Sequence, residues 1–231
     1  MPSASLIIPC YNENGNIEEC IRRSADLGIF EEIIVVDDGS IDNTRTIVAS
    51  LLGKYPNLQL VAYDRNCGKG TAVGRGIEKA TGNIIAIFDA DMSISPEDLP
   101  HFIEPMQLGE VDFLWGTRFQ SSMERNAMRP LNYLGNIFLA RWVQSVISVP
   151  CTDALCGVKV MWRKDFKDLV FKERSWGDLD LLFHAARLQL RCRELPVRYK
   201  RRVAGVSKMR TIRDGIGMLK FCLFQGSIVS R

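Results

Sequence analysis

The sequence predicts an α/β fold, a mostly parallel sheet flanked by helices, with a second half of mixed character. Three observations carry that prediction. Short apolar runs without polar alternation, the pattern of strands buried on both faces, alternate with helix-like segments through the first half. Polar clusters follow four of those runs directly, and sheets of this kind bind ligands outside the carboxyl ends of their strands. Beyond residue 116 the alternation gives way to two long apolar helix patterns and a basic segment.

The strand candidates are 4–10 (ASLIIPC), 32–37 (EIIVVD), 58–63 (LQLVAY), 83–89 (NIIAIFD) and 112–116 (DFLWG). Helix patterns lie at 14–28, 42–54, 70–81 and 96–107. Two of them carry clear start signals: Asp42-Asn43-Thr44 before Ile47, and Ser95-Pro96-Glu97 with proline in the first turn. In the second half, 131–149 reads as a helix with Leu131, Phe138, Trp142 and Val149 on one stripe. A strand at 157–163 (GVKVMWR), a helix at 177–190, a strand at 194–200 and a last helix at 212–229 follow. With no repeat, low-complexity tract or linker, the chain is expected to form one domain, a nucleotide-type half at 1–116 and a different half at 117–231.

Composition is ordinary for a globular chain, 46% hydrophobic and 25% charged, and a net charge of +3 gives no reason to expect a nucleic-acid partner. The charge is unevenly spread. Asp37, Asp38, Asp42, Asp89 and Asp91 come early, whereas Arg198, Lys200, Arg201, Arg202, Lys208, Arg210 and Arg213 crowd one late segment. That asymmetry suggests an acidic metal site and a separate basic surface, a solvated basic face being the simpler reading of the second. Seven scattered cysteines without a C-x-x-C pair argue against a disulfide framework or zinc, and for a reducing compartment. "SLIIPCY" starts without a basic n-region, so no signal peptide is expected. The apolar stretches 131–149 and 216–229 are interrupted by Arg141 and Lys220, and neither reads as a membrane span.

The chemistry concentrates at the ends of the strands. "AIFDADMSIS" ends an apolar run in Asp89 and Asp91, which share a face if the strand persists that far. Two such carboxylates repel unless a cation lies between them, and Mg2+ is held by one or two carboxylates plus substrate phosphates. "DRNCGKGTAVGRG" (64–76) has neither the position of a dinucleotide fingerprint nor the order of a Walker A loop. It reads instead as a glycine-permissive turn into a helix start, with Lys69 and backbone N–H groups near a phosphate. In "VVDDGSIDNT" (35–44), Asp37 and Asp38 are either turn and cap residues or acceptors for a nucleobase N–H. In "PCYNEN" (9–14), Tyr11 offers a stacking face and Glu13 an acceptor, unless the stretch is only a turn.

In order and spacing, "PCYNE" (9–13), "VVDDGSIDNT", "NCGKGTAVGRGIEKATG" (66–82) and "DADMSISP" (89–96) resemble glycosyltransferase family 2, whose fold is GT-A. Over nearly the whole chain the sequence is most similar to the polyprenyl-phosphate sugar transferases, the dolichyl-phosphate mannosyl- and glucosyltransferases. "GTRF" (116–119), "CTDALCGVKVMWR" (151–163), "WGDLDLLFHAAR" (176–187) and "VAGVSKM" (203–209) match more loosely. The resemblance implies that Pro9, Tyr11, Glu13, Val36, Asp38 and Ala90 bind the nucleotide and that Lys69 lies near the diphosphate or the neighbouring sugar. It implies Mg2+ or Mn2+ on Asp89 and Asp91, with Ser93 where some relatives have a glutamine that contributes to the metal. Arg118, Arg129, Arg202 and Lys208 would bind the acceptor phosphate or departing diphosphate, making 117–231 the acceptor-side half.

The expected reaction is inverting transfer of a hexose from UDP-glucose or GDP-mannose to a polyprenyl or dolichyl phosphate. A phosphate monoester is largely anionic at neutral pH, its second pKa being roughly 6, and needs positive residues rather than a base. A sugar hydroxyl, the acceptor of the rival family 2 reading in polysaccharide synthesis, needs a general base. Asp178 and Asp180 could be that base or simply acids favoured at a helix N-terminus; His101 and His184 read as ordinary helix residues. Arg125, Arg129, Arg210 and Arg213 beside apolar helices tip the balance to a lipid phosphate at a membrane surface. The expected location is therefore peripheral, on the cytoplasmic membrane face, with a membrane-protein partner or a second copy of the chain as candidate companions. A non-catalytic nucleotide-sugar-binding module is the reading from another class, opposed by intact Asp89, Asp91 and Lys69.

Overall fold

The computed structural model describes residues 1–172, 176–205 and 211–229, and in the last stretch the side chains of 213–224. Among these residues seven strands form one sheet: β1 (Ala4–Cys10), β2 (Glu32–Asp37), β3 (Leu58–Ala62), β4 (Ile84–Ile87), β5 (Phe113–Thr117), β6 (Lys159–Trp162) and β7 (Cys192–Pro196). Their order is β3-β2-β1-β4-β6-β5-β7. All pairings are parallel except those of β6, which runs antiparallel to both β4 and β5.

Successive side chains of the buried strands feed opposite layers. Leu6, Ile8, Ile33 and Val35 pack into one core and Ile7, Ile34 and Val36 into the other, which is why these strands read as unbroken apolar runs. The first layer is closed by α1 (Ile17–Asp26), α2 (Thr44–Leu51) and α4 (Pro100–Gln107). In α1 the inward face is Ile17, Cys20, Ile21 and Ser24, the spacing of one helical stripe, and Gly28 at φ 63° ends it in the left-handed region. The second layer holds α3 (Lys69–Lys79), α5 (Pro130–Ile147), α7 (Asp178–Arg187) and α8 (Thr211–Val229). A short α6 (Arg163–Phe166) follows β6, and α8 packs on both α5 and α7.

Several expectations shift. The strand expected at 83–89 stops at Ile87, and the chain turns through Met92 at φ 59°. The helix expected at 96–107 divides into a single 3-10 turn, Pro96–Asp98, and α4, because Pro100 offers no N–H to continue the first segment. The strand expected at 194–200 is the edge strand β7, ending at Pro196. On α5 the stripe expected from Leu131 to Val149 divides: Leu131 and Phe138 face outward with Leu134, while Trp142 and Val149 pack partly against the second core. Its fully inward face is Asn136, Leu139, Ala140, Val143 and Ile147. The seven cysteines form no disulfide, and among the described residues no helix is long and apolar enough to cross a membrane.

Candidate active site

The carboxyl ends of β1, β2 and β4 and the start of α3 meet on one rim. At the end of β2 the two adjacent aspartates have different tasks. Asp37 accepts hydrogen bonds from Ser40 N (3.3 Å) and Arg45 Nε (2.9 Å), so it staples its own turn. Asp38 reaches across to the β3–α3 loop, accepting from Cys67 N (2.7 Å), Gly68 N (2.8 Å) and Asn66 Nδ2 (2.8 Å). Burial pushes the Asp38 carboxyl above its ordinary range, against the pull of those donors. The loop enters α3 through Gly68 at φ 94°, a conformation glycine adopts without strain, and so delivers Lys69 as the first helical residue.

Lys69 stands between two acids. Its Nζ lies 2.7 Å from Asp89 Oδ1 and 3.6 Å from Asp178 Oδ1. Burial works against its charge, but Asp178 and Asp89 outweigh it and hold Lys69 above the usual lysine range. Asp89 is pushed up by its withdrawal from water, partly offset by Lys69. Asp91 pairs with Arg202 (2.7 Å), which also approaches Glu13 (3.9 Å). Because β4 has already ended, Asp89 and Asp91 come together through a turn rather than by strand alternation, and Ser93 N donates to Asp91 Oδ1 (2.9 Å) to hold it.

Two cavities share the wall formed by Lys69, Asp89, Asp91, Trp176 and Arg202. The larger, about 780 Å3, is lined by Pro9, Tyr11, Glu13, Asp38 and Ala90. The other, about 500 Å3, is lined by Ser93, Arg118, Arg129 and Asp178 on its polar side and by Phe138, Leu139, Met218 and Leu219 between α5 and α8. Val36 and Asp180 are absent from both walls as described. Val36 is inside the second core, and Asp180, fully buried, accepts a hydrogen bond from Lys172 N (3.1 Å). Asp180 is thus a helix-start acid holding a loop. Lys208 and Arg210 lie outside the described residues. Arg118 is engaged by Asp153 through Nε (2.6 Å) and Nη2 (2.8 Å), and His184 is held by the Asp165 carbonyl (2.8 Å).

Three residues that sequence reasoning did not single out shape this site. Asp153, fully buried, holds Arg118. Lys159, also fully buried, binds Asp178 (2.5 Å). At Gly157 any side chain would overlap the Asp89 carboxylate. The signal was present in "CTDALCGVKVMWR", where a lysine interrupts an apolar strand.

Among the described residues no cluster of three or more His, Cys, Asp or Glu is arranged to hold a metal ion. A hard divalent cation needs only one or two protein carboxylates when a diphosphate and water complete its shell. Asp89 and Asp91 are an oxygen-only pair of that kind, set where the two cavities meet, so the donor set fits such an ion.

A family model described as glycosyl transferase family 2 matches residues 5–169, more than half of the 231 residues. The chain belongs to glycosyl transferase family 2. Among relatives of this family 2 chain, the low-salt glycan biosynthesis hexosyltransferase Agl6 of Haloferax volcanii is 27% identical over 228 residues, 96% of this chain and 53% of its own length. The dolichol-phosphate mannosyltransferase of Pyrococcus furiosus is 38% identical over 117 residues, 50% of this chain and 33% of its own. The family 2 chain therefore spans about half of the first relative and a third of the second. Glucosyl-3-phosphoglycerate synthase of Mycobacterium tuberculosis, solved with Mn2+, UDP and phosphoglyceric acid, superposes with a TM-score of 0.73 at 20% identity, over 96% of this chain and 78% of that one. The fold is the GT-A fold that the sequence resemblance implied.

Proposed function

We propose that this chain transfers a hexose from a nucleoside-diphosphate sugar to a polyprenyl phosphate at a membrane surface, using a divalent cation. The observation that carries the acceptor class is the pairing of every carboxylate that, among the described residues, lines the smaller cavity. Asp89 is bound by Lys69, Asp91 by Arg202, and Asp178 by Lys159 and Lys69. Burial would raise the Asp178 carboxyl, but the two lysines outweigh it and hold it below the ordinary aspartate range, which makes it a poor base. A hydroxyl acceptor needs such a base; an anionic phosphate does not. The relatives support the same class, two of them being named as hexosyl- or mannosyltransferases and one as acting on dolichol phosphate.

In this reading the larger cavity takes the nucleotide, with Tyr11, Glu13 and Ala90 around it, and Lys69 and Arg202 face the diphosphate at the junction. When bound at Asp89 and Asp91, a divalent cation supplies Lewis-acid neutralisation of the charge that develops on the departing diphosphate. The acceptor phosphate enters the smaller cavity beside Arg129, and its chain lies along Phe138, Leu139, Met218 and Leu219. An acceptor oxygen attacks the anomeric carbon from the face opposite the diphosphate, the bond to the diphosphate breaks, and configuration inverts. The outward Leu131, Leu134 and Phe138 of α5 and Ile216, Leu223 and Phe224 of α8 are the surface that meets the bilayer, with exposed Arg129, Arg141 and Arg213 for its headgroups. The protein is then peripheral on the cytoplasmic face.

The test is transfer of radiolabelled sugar from UDP-glucose and from GDP-mannose, with Mg2+ or Mn2+, to undecaprenyl or dolichyl phosphate. Butanol-extractable label that falls by about a hundredfold or more in Asp91→Ala is the expected result. Donor consumed only with a carbohydrate acceptor would replace this reading by hydroxyl transfer.

A further inference from the structure

Lys159 has no solvent exposure, yet it opens β6 in register with Ile87 of β4 and Trp115 of β5. A lysine in that position is costly unless it is paired and hydrogen-bonded. Its Nζ donates to the Cys156 carbonyl (2.6 Å) and to Asp178 Oδ1 (2.5 Å). That same oxygen is the second neighbour of Lys69, at 3.6 Å, whose first is Asp89 at 2.7 Å. The four side chains form a row of alternating charge, Lys159, Asp178, Lys69, Asp89, running from the sheet interior to the junction of the two cavities.

We propose that Lys159 is a positioning residue that, by occupying Asp178, leaves Lys69 on Asp89 and so sets both the cation affinity of the paired acids and the place of Lys69 at the diphosphate. This rests on the reading of Asp89 and Asp91 as the cation site. Lys69 has two acceptors to choose from. With Lys159 in place, Asp178 is already neutralised and Asp89 is the stronger attraction. Without it, Asp178 is a buried, uncompensated anion and Lys69 is the nearest cation to it. Lys69 then shifts from Asp89 to Asp178, and the acids at the junction lose their counter-charge. The charge balance points the same way. Lys159, Lys69 and Arg202 offset three of the four acids paired with them, Asp178, Asp89, Asp91 and, at 3.9 Å, Glu13, so a divalent ion without a diphosphate meets a cluster with a single net negative charge. Removing Lys159 doubles that net negative charge.

The consequence has opposite signs in two measurements. In Lys159→Met, Mn2+ binding to the nucleotide-free protein, followed by the electron paramagnetic resonance of free Mn2+, tightens by at least about threefold. Sugar transfer by the same variant falls by about tenfold or more in kcat, because Lys69 no longer faces the diphosphate. A merely structural defect would weaken both. Lys159→Arg keeps the charge and stays near the wild type in Mn2+ affinity. The double variant Lys159→Met with Asp178→Asn removes the whole pair, leaves Lys69 only Asp89, and returns Mn2+ affinity to the wild-type value. Equal or weaker Mn2+ binding in Lys159→Met overturns the proposal. If that variant does not fold, the double variant decides, and a Mn2+ affinity more than threefold from wild type overturns it. Wild-type protein that transfers no sugar while the Mn2+ order holds would sink the transferase reading and leave this one standing.

Discussion

At the scale of single residues, the position of Asp89 depends on what is missing beside it. A methyl group at Gly157 would overlap the Asp89 carboxylate, and the backbone there belongs to the approach to β6, which cannot easily withdraw. Gly157→Ala should therefore displace Asp89 from Lys69 and cost about 1–3 kcal/mol of stability, read as a lowered thermal midpoint. Sugar transfer should fall by at least about tenfold. Activity within twofold of wild type would show that Asp89 does not need its present place. Asp89, Asp91 and Lys69 were legible in the sequence because their motifs are local. Gly157 and Lys159 were not, because each acquires its meaning from a partner brought in from another segment.

Among the elements, α5 and α8 differ from the other helices in having two apolar faces. One face of each closes the second core through residues such as Val143 and Met218, and the other is exposed, with Leu131, Leu134 and Leu223 all more than half accessible. The helical stripe at 131–149 announced an apolar helix, but which residues face outward was decided by where α5 meets α7, α8 and the sheet. Replacing Leu131 and Leu134 together by aspartate should lower co-sedimentation with anionic vesicles by at least about fivefold, since both apolar insertion and charge attraction are lost. Both side chains are exposed, so the thermal midpoint should move by no more than the equivalent of about 0.5 kcal/mol. Undiminished vesicle binding would take the membrane away from this face.

For the molecule as a whole, the Glu32 network and the site lie at opposite ends of the same strands. At the amino ends of the strands, away from the site, buried Glu32 gathers Ser5 Oγ (2.6 Å), Gln59 Nε2 (2.9 Å), Thr81 N (2.6 Å) and Thr81 Oγ1 (2.8 Å), tying β1, β2, β3 and the α3–β4 turn together. Burial raises its carboxyl, but these donors outweigh it and bring it below the ordinary 4.5. A carboxylate lowered in the folded state stabilises above its unfolded pKa, and the contribution fades as pH falls through the folded value. Glu32→Gln should accordingly lower stability by about 1–3 kcal/mol at neutral pH. The gap between variant and wild type in denaturant unfolding should begin to narrow as pH falls below the ordinary 4.5. A gap that stays constant down to pH 3 would mean that the charge of Glu32 contributes nothing.

The sequence by itself determined the alternation of strands and helices, the rim where the polar clusters meet, and the family. Those are properties of local pattern: apolar runs feed two cores, and glycine or proline punctuates their ends. Only the tertiary structure decided that Asp37 staples a turn while Asp38 holds the loop before Lys69, and that Val36 belongs to the core. It also ended β4 before Asp89, turned Asp180 toward a loop, and engaged Asp178 with Lys159 and Lys69. The physical reason is the same in each case. A side chain's role is set by which charges and surfaces lie within a few ångströms of it, and here those come from segments far apart in the chain.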